Sequence, residues 1–163
     1  MKTFSLDDTP VEFQPPPKQM LTIELVPATA WGSNVRSKVK RARWDEIRKA
    51  QYHKASYRCE VCGGTGSRRN HALECHEVWD YNDETHVQKL VGLLALCPGC
   101  HSVKHFGLSQ MMGKEIAATQ HLMTVNGWIK SQVKEHLLKV CQTWEERSRH
   151  EWTLDLSWLD TLP

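Results

Sequence analysis

The chain has 163 residues, and its six cysteines and nine histidines are unevenly placed along it. Cys59 and Cys62 form one Cys-x-x-Cys pair, and Cys97 and Cys100, in the segment CPGC, form a second. Two intervening residues let one tight turn present two thiolates to the same ion, and two such turns complete a tetrahedral sulfur cage. Soft thiolates suit zinc, which brings no redox chemistry to them. Closed cages of this kind are structural, so Cys59, Cys62, Cys97 and Cys100 are expected to hold a structural Zn2+ whose binding energy is part of the folding energy. A redox Cys-x-x-Cys is the competing reading, and two matched pairs in one short chain favour zinc over it. Cys75 and Cys141 fall outside the cage and are read as small hydrophobes.

Closing the cage makes residues 63 to 96 a loop pinned at its base, with His76 inside it. His101 and His105 follow directly on Cys100, and in a helix their spacing of four puts both rings on one face beside the cage. With His76 facing them from a strand, three imidazoles would hold a divalent ion and leave positions open for water and a phosphate oxygen. An isolated histidine is more often a surface or satisfied core residue, and His53, His71, His86, His121, His136 and His150 take that reading. For His101 the bland alternative is a hydrogen bond that braces the cage. Glu74, Asp80 and Asp83 are acidic neighbours of the cluster, read as a solvated loop.

These residues need elements to position them. Residues 1 to 20, with Pro15, Pro16 and Pro17, offer little to bury and read as an extended arm. Residues 21 to 163 read as one α+β domain. Leu21, Ile23 and Leu25 alternate with Thr22, Glu24 and Val26 up to Pro27, which predicts a strand. A helix is expected from Val39 to about Tyr57, with Trp44, Ile47 and Tyr52 inward, delivering its end to Cys59. After the turn-forming glycines at 63, 64 and 66 a strand should run from Ala72 to Val78, followed by a loop from Asp80 to Asp83. Lys89 to Leu96 is apolar and reads equally as a strand or a buried connection. The zinc core thus spans 59 to 106, with a helix from His101 to Phe106 stopped by Gly107. Helices across 109 to 150 follow, one from Met112 to Val125 closed by Asn126 and Gly127, the next from Ser131 to Arg149. The tail, 151 to 158, alternates as a short strand and is expected to pair near residue 23.

Net charge is only +2, so the overall balance does not announce a polyanion partner. Its distribution says more. Arg36, Lys38, Lys40, Arg41, Arg43 and Arg48 make a basic stripe before the first cysteine, with Arg68 and Arg69 in the loop, and such a stripe suits a nucleic-acid backbone because it displaces counterions. A solvated helix face is the plainer reading of the same residues. The seven tryptophans, spread from Trp31 to Trp158, are read as packing residues. No window approaches the roughly 18 apolar residues of a membrane span and no signal pattern opens the chain, so no membrane partner and a cytoplasmic location are expected.

The stretch LECHEVW (Leu73 to Trp79) followed by ALCPGCHSVKH (Ala95 to His105) resembles the HNH endonuclease superfamily with a zinc-binding frame. The resemblance covers residues 59 to 105. It implies a ββα-metal core of treble-clef type carrying a structural zinc, flanked here by helices and a short terminal β pairing. It further implies a second divalent ion, Mg2+, Mn2+, Ni2+ or Zn2+, and hydrolysis of nucleic-acid phosphodiesters, usually in DNA. His101 and His105 match positions that bind the catalytic ion in related bacterial toxin nucleases. On the strand the family carries a metal ligand and then a general base. In one register His76 is the ligand and Glu77 the base; in the other Cys75 takes the metal place and His76 is the base. The Asn that names the motif corresponds to Gly92. Two non-enzymatic readings stand beside the nuclease. One is a degenerate zinc module that binds nucleic acid or protein, favoured by Glu77 and Gly92. The other is an adaptor using the helices after Met112 and the tryptophan-rich tail.

Overall fold

The segment VQKLVGLLAL settles as a strand, and it organises the rest. In a computed structural model of the protein, which describes residues 19–65 and 73–163, it forms β2 (Val87–Leu96) and pairs antiparallel with β1 (Glu74–Asn82). The register runs from Glu74 opposite Leu96 to Asn82 opposite Val87, with a bulge at Val78/Trp79 that leaves Val91 unmatched. Strand alternation sends Cys75 and Trp79 to one face, which packs with Val35, Trp44, Ile47, Leu90 and Leu93, and His76 to the other. Leu94, Leu96, Val103, Phe106 and Leu122 belong to the larger core.

The remaining elements are α1 (Val35–Lys38), α2 (Arg41–Lys54), α3 (Pro98–Lys104), α4 (Phe106–Met111), α5 (Glu115–Asn126), α6 (Lys130–Arg147) and β3 (Thr153–Asp155), with 3-10 turns at Ala28–Ala30 and Ser157–Thr161. The result is a mixed α+β fold of six helices and a three-stranded sheet among the described residues. No helix among them is long and apolar enough to cross a membrane. Residues 1–18 of the expected arm, together with Arg68, Arg69, His71 and Ala72, lie outside the described residues.

Four expectations about elements are corrected. Leu21 to Val26 is extended but joins no sheet, because side chains from the C-terminal helices take its backbone groups. Asn126 accepts from the Leu21 N–H at 2.9 Å and donates to its carbonyl at 2.8 Å, His136 Nε2 accepts from Ile23 N–H, and Trp144 Nε1 donates to the Val26 carbonyl. The tail pairs elsewhere: β3 lies parallel to β2, Val87 opposite Thr153. Asp80 to Asn82 extend β1, and the turn comes after them, where Asn82 Oδ1 accepts from the N–H groups of Glu84 and Thr85. Gly107 does not stop α3. The break comes at His105, the cap shared by α3 and α4, and Gly107 lies inside α4. The Gly127 stop holds, with φ 68 in the left-handed region.

Asn126 replaces two ladder bonds for a segment whose Leu21 is fully buried. Asn126→Ala is therefore expected to cost about 2 kcal/mol and to speed amide hydrogen exchange at residues 21 to 26; unchanged exchange there would show that the tether is idle.

Candidate metal centre

Both halves of the cysteine cage are built by local chemistry. α2 ends in two left-handed residues, Ser56 and Tyr57, that turn the chain into Cys59. The first knuckle closes by Gly63 N–H to Cys59 carbonyl and Cys59 N–H to Gly64 carbonyl, both at 2.8 Å, with Gly63 at φ 73. Glu60 fixes this knuckle to the sheet, its carboxylate accepting from Ala95 N–H and from Gln51 Nε2. The second half is the first turn of α3: Cys97 is its N-cap, Pro98 follows, and the Cys97 sulfur accepts from Cys100 N–H.

All four sulfurs lie within 4.8 Å of one another. A tetrahedron with zinc–sulfur bonds of about 2.3 Å has edges of about 3.8 Å, and Cys62 Sγ and Cys97 Sγ are 3.7 Å apart. Four thiolates cannot share this space without a cation. The donor set and spacing fit a structural zinc.

The three histidines also converge. His76 from β1, His101 from α3 and His105 at its end offer nitrogens within 4.8 Å of one another. His76 Nδ1 and His105 Nε2 are 3.3 Å apart. That is long for a hydrogen bond between nitrogens and matches the edge, about 3.3 Å, of a tetrahedron with zinc–nitrogen bonds of 2.0–2.1 Å. The rings cross edge to face rather than stack. Burial first, then the neighbouring imidazoles, push His105 down to about 4, so its lone pair is free at neutral pH.

Two carboxylates orient this set. Glu24 Oε2 meets His76 Nε2 at 2.8 Å, and Glu74 Oε2 meets His101 Nδ1 at 2.7 Å. Each carboxylate fixes one nitrogen as the donor and leaves the other to a metal, the usual support behind histidine ligands. Burial works to raise Glu24, but the His76 hydrogen bond and the Lys104 charge outweigh it and hold the group at about 2. Glu74 is lowered chiefly by its bond to His101. Lys104 is almost fully buried, its Nζ bonded to Glu24 and to Thr22 Oγ1. His76 is buried while His101 and Glu74 reach solvent, so the cluster opens on the His101 side. Glu24→Gln keeps the shape and removes the charge behind His76. We expect the affinity of the histidine cluster for a divalent ion to fall about 10- to 100-fold in titration calorimetry, with zinc in the cage retained.

Other expected site residues are not brought here. Glu77 points to the opposite sheet face, where its carboxylate accepts from Val35 N–H at 2.8 Å at the start of α1. Burial raises its pKa, against the backbone N–H groups of Val35 and Arg36. Gly92 sits at the bulge opposite Val78. The basic stripe lies on α1, on Lys40 and on α2, across the sheet from the imidazoles, since α2 packs through Ile47 and Trp44 against Leu90 and Leu93. Arg43 pairs with Glu46 and Arg48 with Asp45, while Arg36, Lys38, Lys40 and Arg41 are exposed. Asp83 is held by Arg147 through two bonds.

The sequence alone gives Glu24 only a polar place in an expected strand and Lys104 no role, and it leaves Glu74 to a solvated loop. Exposed Lys114, whose charge helps lower Glu74, also lies on the open side. The alternation of Glu74 with His76 could have signalled the first carboxylate; nothing local announces Glu24. His121 is a satisfied histidine, its Nε2 3.2 Å from Cys100 Sγ. His136 is satisfied within the core as expected.

Comparison with protein-family models, with curated proteins and with solved structures finds no match to this chain. Its function must therefore be argued from the site itself.

Proposed function

We propose that this chain is a metal-dependent nuclease of the HNH type, hydrolysing phosphodiester bonds in nucleic acid, with DNA the expected substrate. On this reading β1, β2 and α3 are its ββα-metal unit. The observation that carries it is the convergence of His76, His101 and His105 beside a four-cysteine cage, with two rings backed by carboxylates and one side open to solvent. A divalent ion bound there supplies Lewis-acid polarisation of a phosphoryl oxygen and lowers the pKa of bound water. Three neutral nitrogens favour a borderline ion such as Zn2+ or Ni2+ over Mg2+. His76 serves as a ligand, since Glu24 occupies its Nε2, and this geometry favours the register in which His76 takes the metal place. Glu77, committed to α1, is not assigned the role of base. Lys114 is placed to meet a phosphate at the open side, and exposed Arg36, Lys38, Lys40 and Arg41 would contact backbone only if the substrate wraps past the sheet edge. Such contacts position without reading sequence.

A second reading, a zinc module that binds nucleic acid without cutting it, is favoured by the position of Glu77 and by the separation of the basic stripe from the imidazoles. Incubating the pure protein with supercoiled plasmid and with single-stranded DNA and RNA in Mg2+, Mn2+, Ni2+ or Zn2+ decides between them. Nicking or linearisation that depends on the added ion supports the nuclease. A shifted band with the substrate intact under every ion would leave the binding module.

A further inference from the structure

α5 presents Ala118, Leu122 and Val125 to the core. His121 occupies the same helical stripe, where an apolar residue would be the default. Its ring instead reaches the first turn of α3, with Nε2 3.2 Å from Cys100 Sγ. A second observation concerns the residue beside that sulfur. A Cβ built on Gly99 would lie 2.7 to 2.9 Å from three atoms of the His121 ring. Gly99 is not among the residues with positive φ, so its backbone conformation does not demand glycine. The space that a side chain would take is the space the imidazole fills.

We infer that His121 is a positioning residue of the sulfur cage, donating its Nε2–H to the Cys100 thiolate, and that Gly99 lacks a side chain to admit the ring. A metal-bound thiolate has no proton to give, so the imidazole must be the donor. An N–H directed at a thiolate withdraws charge from a crowded set of four and is stronger than a neutral bond. It also clips α5 to α3, so that closure of the cage and docking of the C-terminal helices stabilise each other. The inference rests on zinc occupying the cage.

The test uses the full zinc-loaded chain and two readouts: the rate of zinc transfer to a colorimetric chelator, and the thiolate-to-metal charge-transfer band after Co2+ substitution. His121→Ala is expected to release zinc about 10- to 100-fold faster, in line with losses of outer hydrogen bonds at metal sites, and to shift the band. His121→Gln, whose amide N–H can reach the sulfur, should restore much of both. Gly99→Ala should imitate His121→Ala by displacing the ring. The double variant should release zinc no faster than His121→Ala alone, because the ring that the new methyl would strike is gone. If His121→Ala does not fold, Gly99→Ala and His121→Gln carry the comparison. Wild-type release rates and an unmoved band in His121→Ala and Gly99→Ala would overturn the inference while leaving the cage intact. A wild-type protein that holds no zinc on its cysteines would remove the cage reading itself.

Discussion

Stripping the ion from the cysteine cage should abolish the cooperative thermal transition and the near-UV circular dichroism of the protein. The apparent binding energy of a structural zinc, about 10 to 16 kcal/mol in small zinc modules, is as large as the whole stability of a typical domain, about 5 to 15 kcal/mol. Here the sulfurs are woven into the core: Cys59, Cys97 and Cys100 are buried and pack with Val61, Leu96, Val103 and Leu122. Without a cation, nothing would hold the first turn of α3 against the knuckle that Glu60 ties to the hairpin. Cys59→Ser or Cys100→Ser should have the same effect as a strong chelator. Helical signal from α5 and α6 should persist in part, because Ala118, Leu122, Val133 and Leu137 supply apolar surface on both helices that does not depend on the metal. An unchanged melting temperature after verified removal of zinc would refute a structural role.

If the chain is the nuclease proposed above, His105→Ala carries the largest expected effect on its activity. The substitution removes one of three nitrogen donors and leaves the sulfur cage untouched, so bound metal should fall from two equivalents to one, the zinc remaining. The ring is half-buried, and a water entering its place would be a weaker donor to the ion than the imidazole nitrogen it replaces. Loss of the polarising ion forfeits several kcal/mol of transition-state stabilisation, which corresponds to about a thousandfold or more in rate. Plasmid cleavage should therefore fall to background while the melting temperature stays within a few degrees. His53→Ala, an exposed position on α2, is the control and should cleave as the parent does. Metal content still at two equivalents in His105→Ala would show that the imidazoles do not share an ion.

The parts of the site that were legible in the sequence are those set by local spacing. Cysteines three positions apart and histidines four apart need only a turn and a helix to converge, and the apolar segment from Lys89 to Leu96 has only two readings. The misread parts depend on contacts between distant residues. Leu21 to Val26 has the alternation of a strand, and it keeps that alternation with Leu21 and Ile23 buried. Its partners are side chains 105 to 118 residues away, which no local pattern reveals. The role of Glu24 is hidden for the same reason: its value lies in meeting His76 and Lys104 across 52 and 80 residues. The basic stripe was recognised correctly as a run of charge, but which side of the hairpin it would occupy was decided by Ile47 and Trp44. Glu77 illustrates strand geometry, since one step along β1 turns a neighbour of His76 to the far face.

The thread from Leu21 to Val26 also sets the order in which the protein can mature. Its anchors, Asn126, His136 and Trp144, all follow the cysteines and the three imidazoles in the chain and so leave the ribosome after them. A nascent chain that has already gathered its cysteines and its three imidazoles still lacks the tether that presses Glu24 against His76. Competence at the metal centre is thereby deferred until the helices carrying these anchors have been made, and a product truncated before Asn126 would carry the ligands without the brace that aims them.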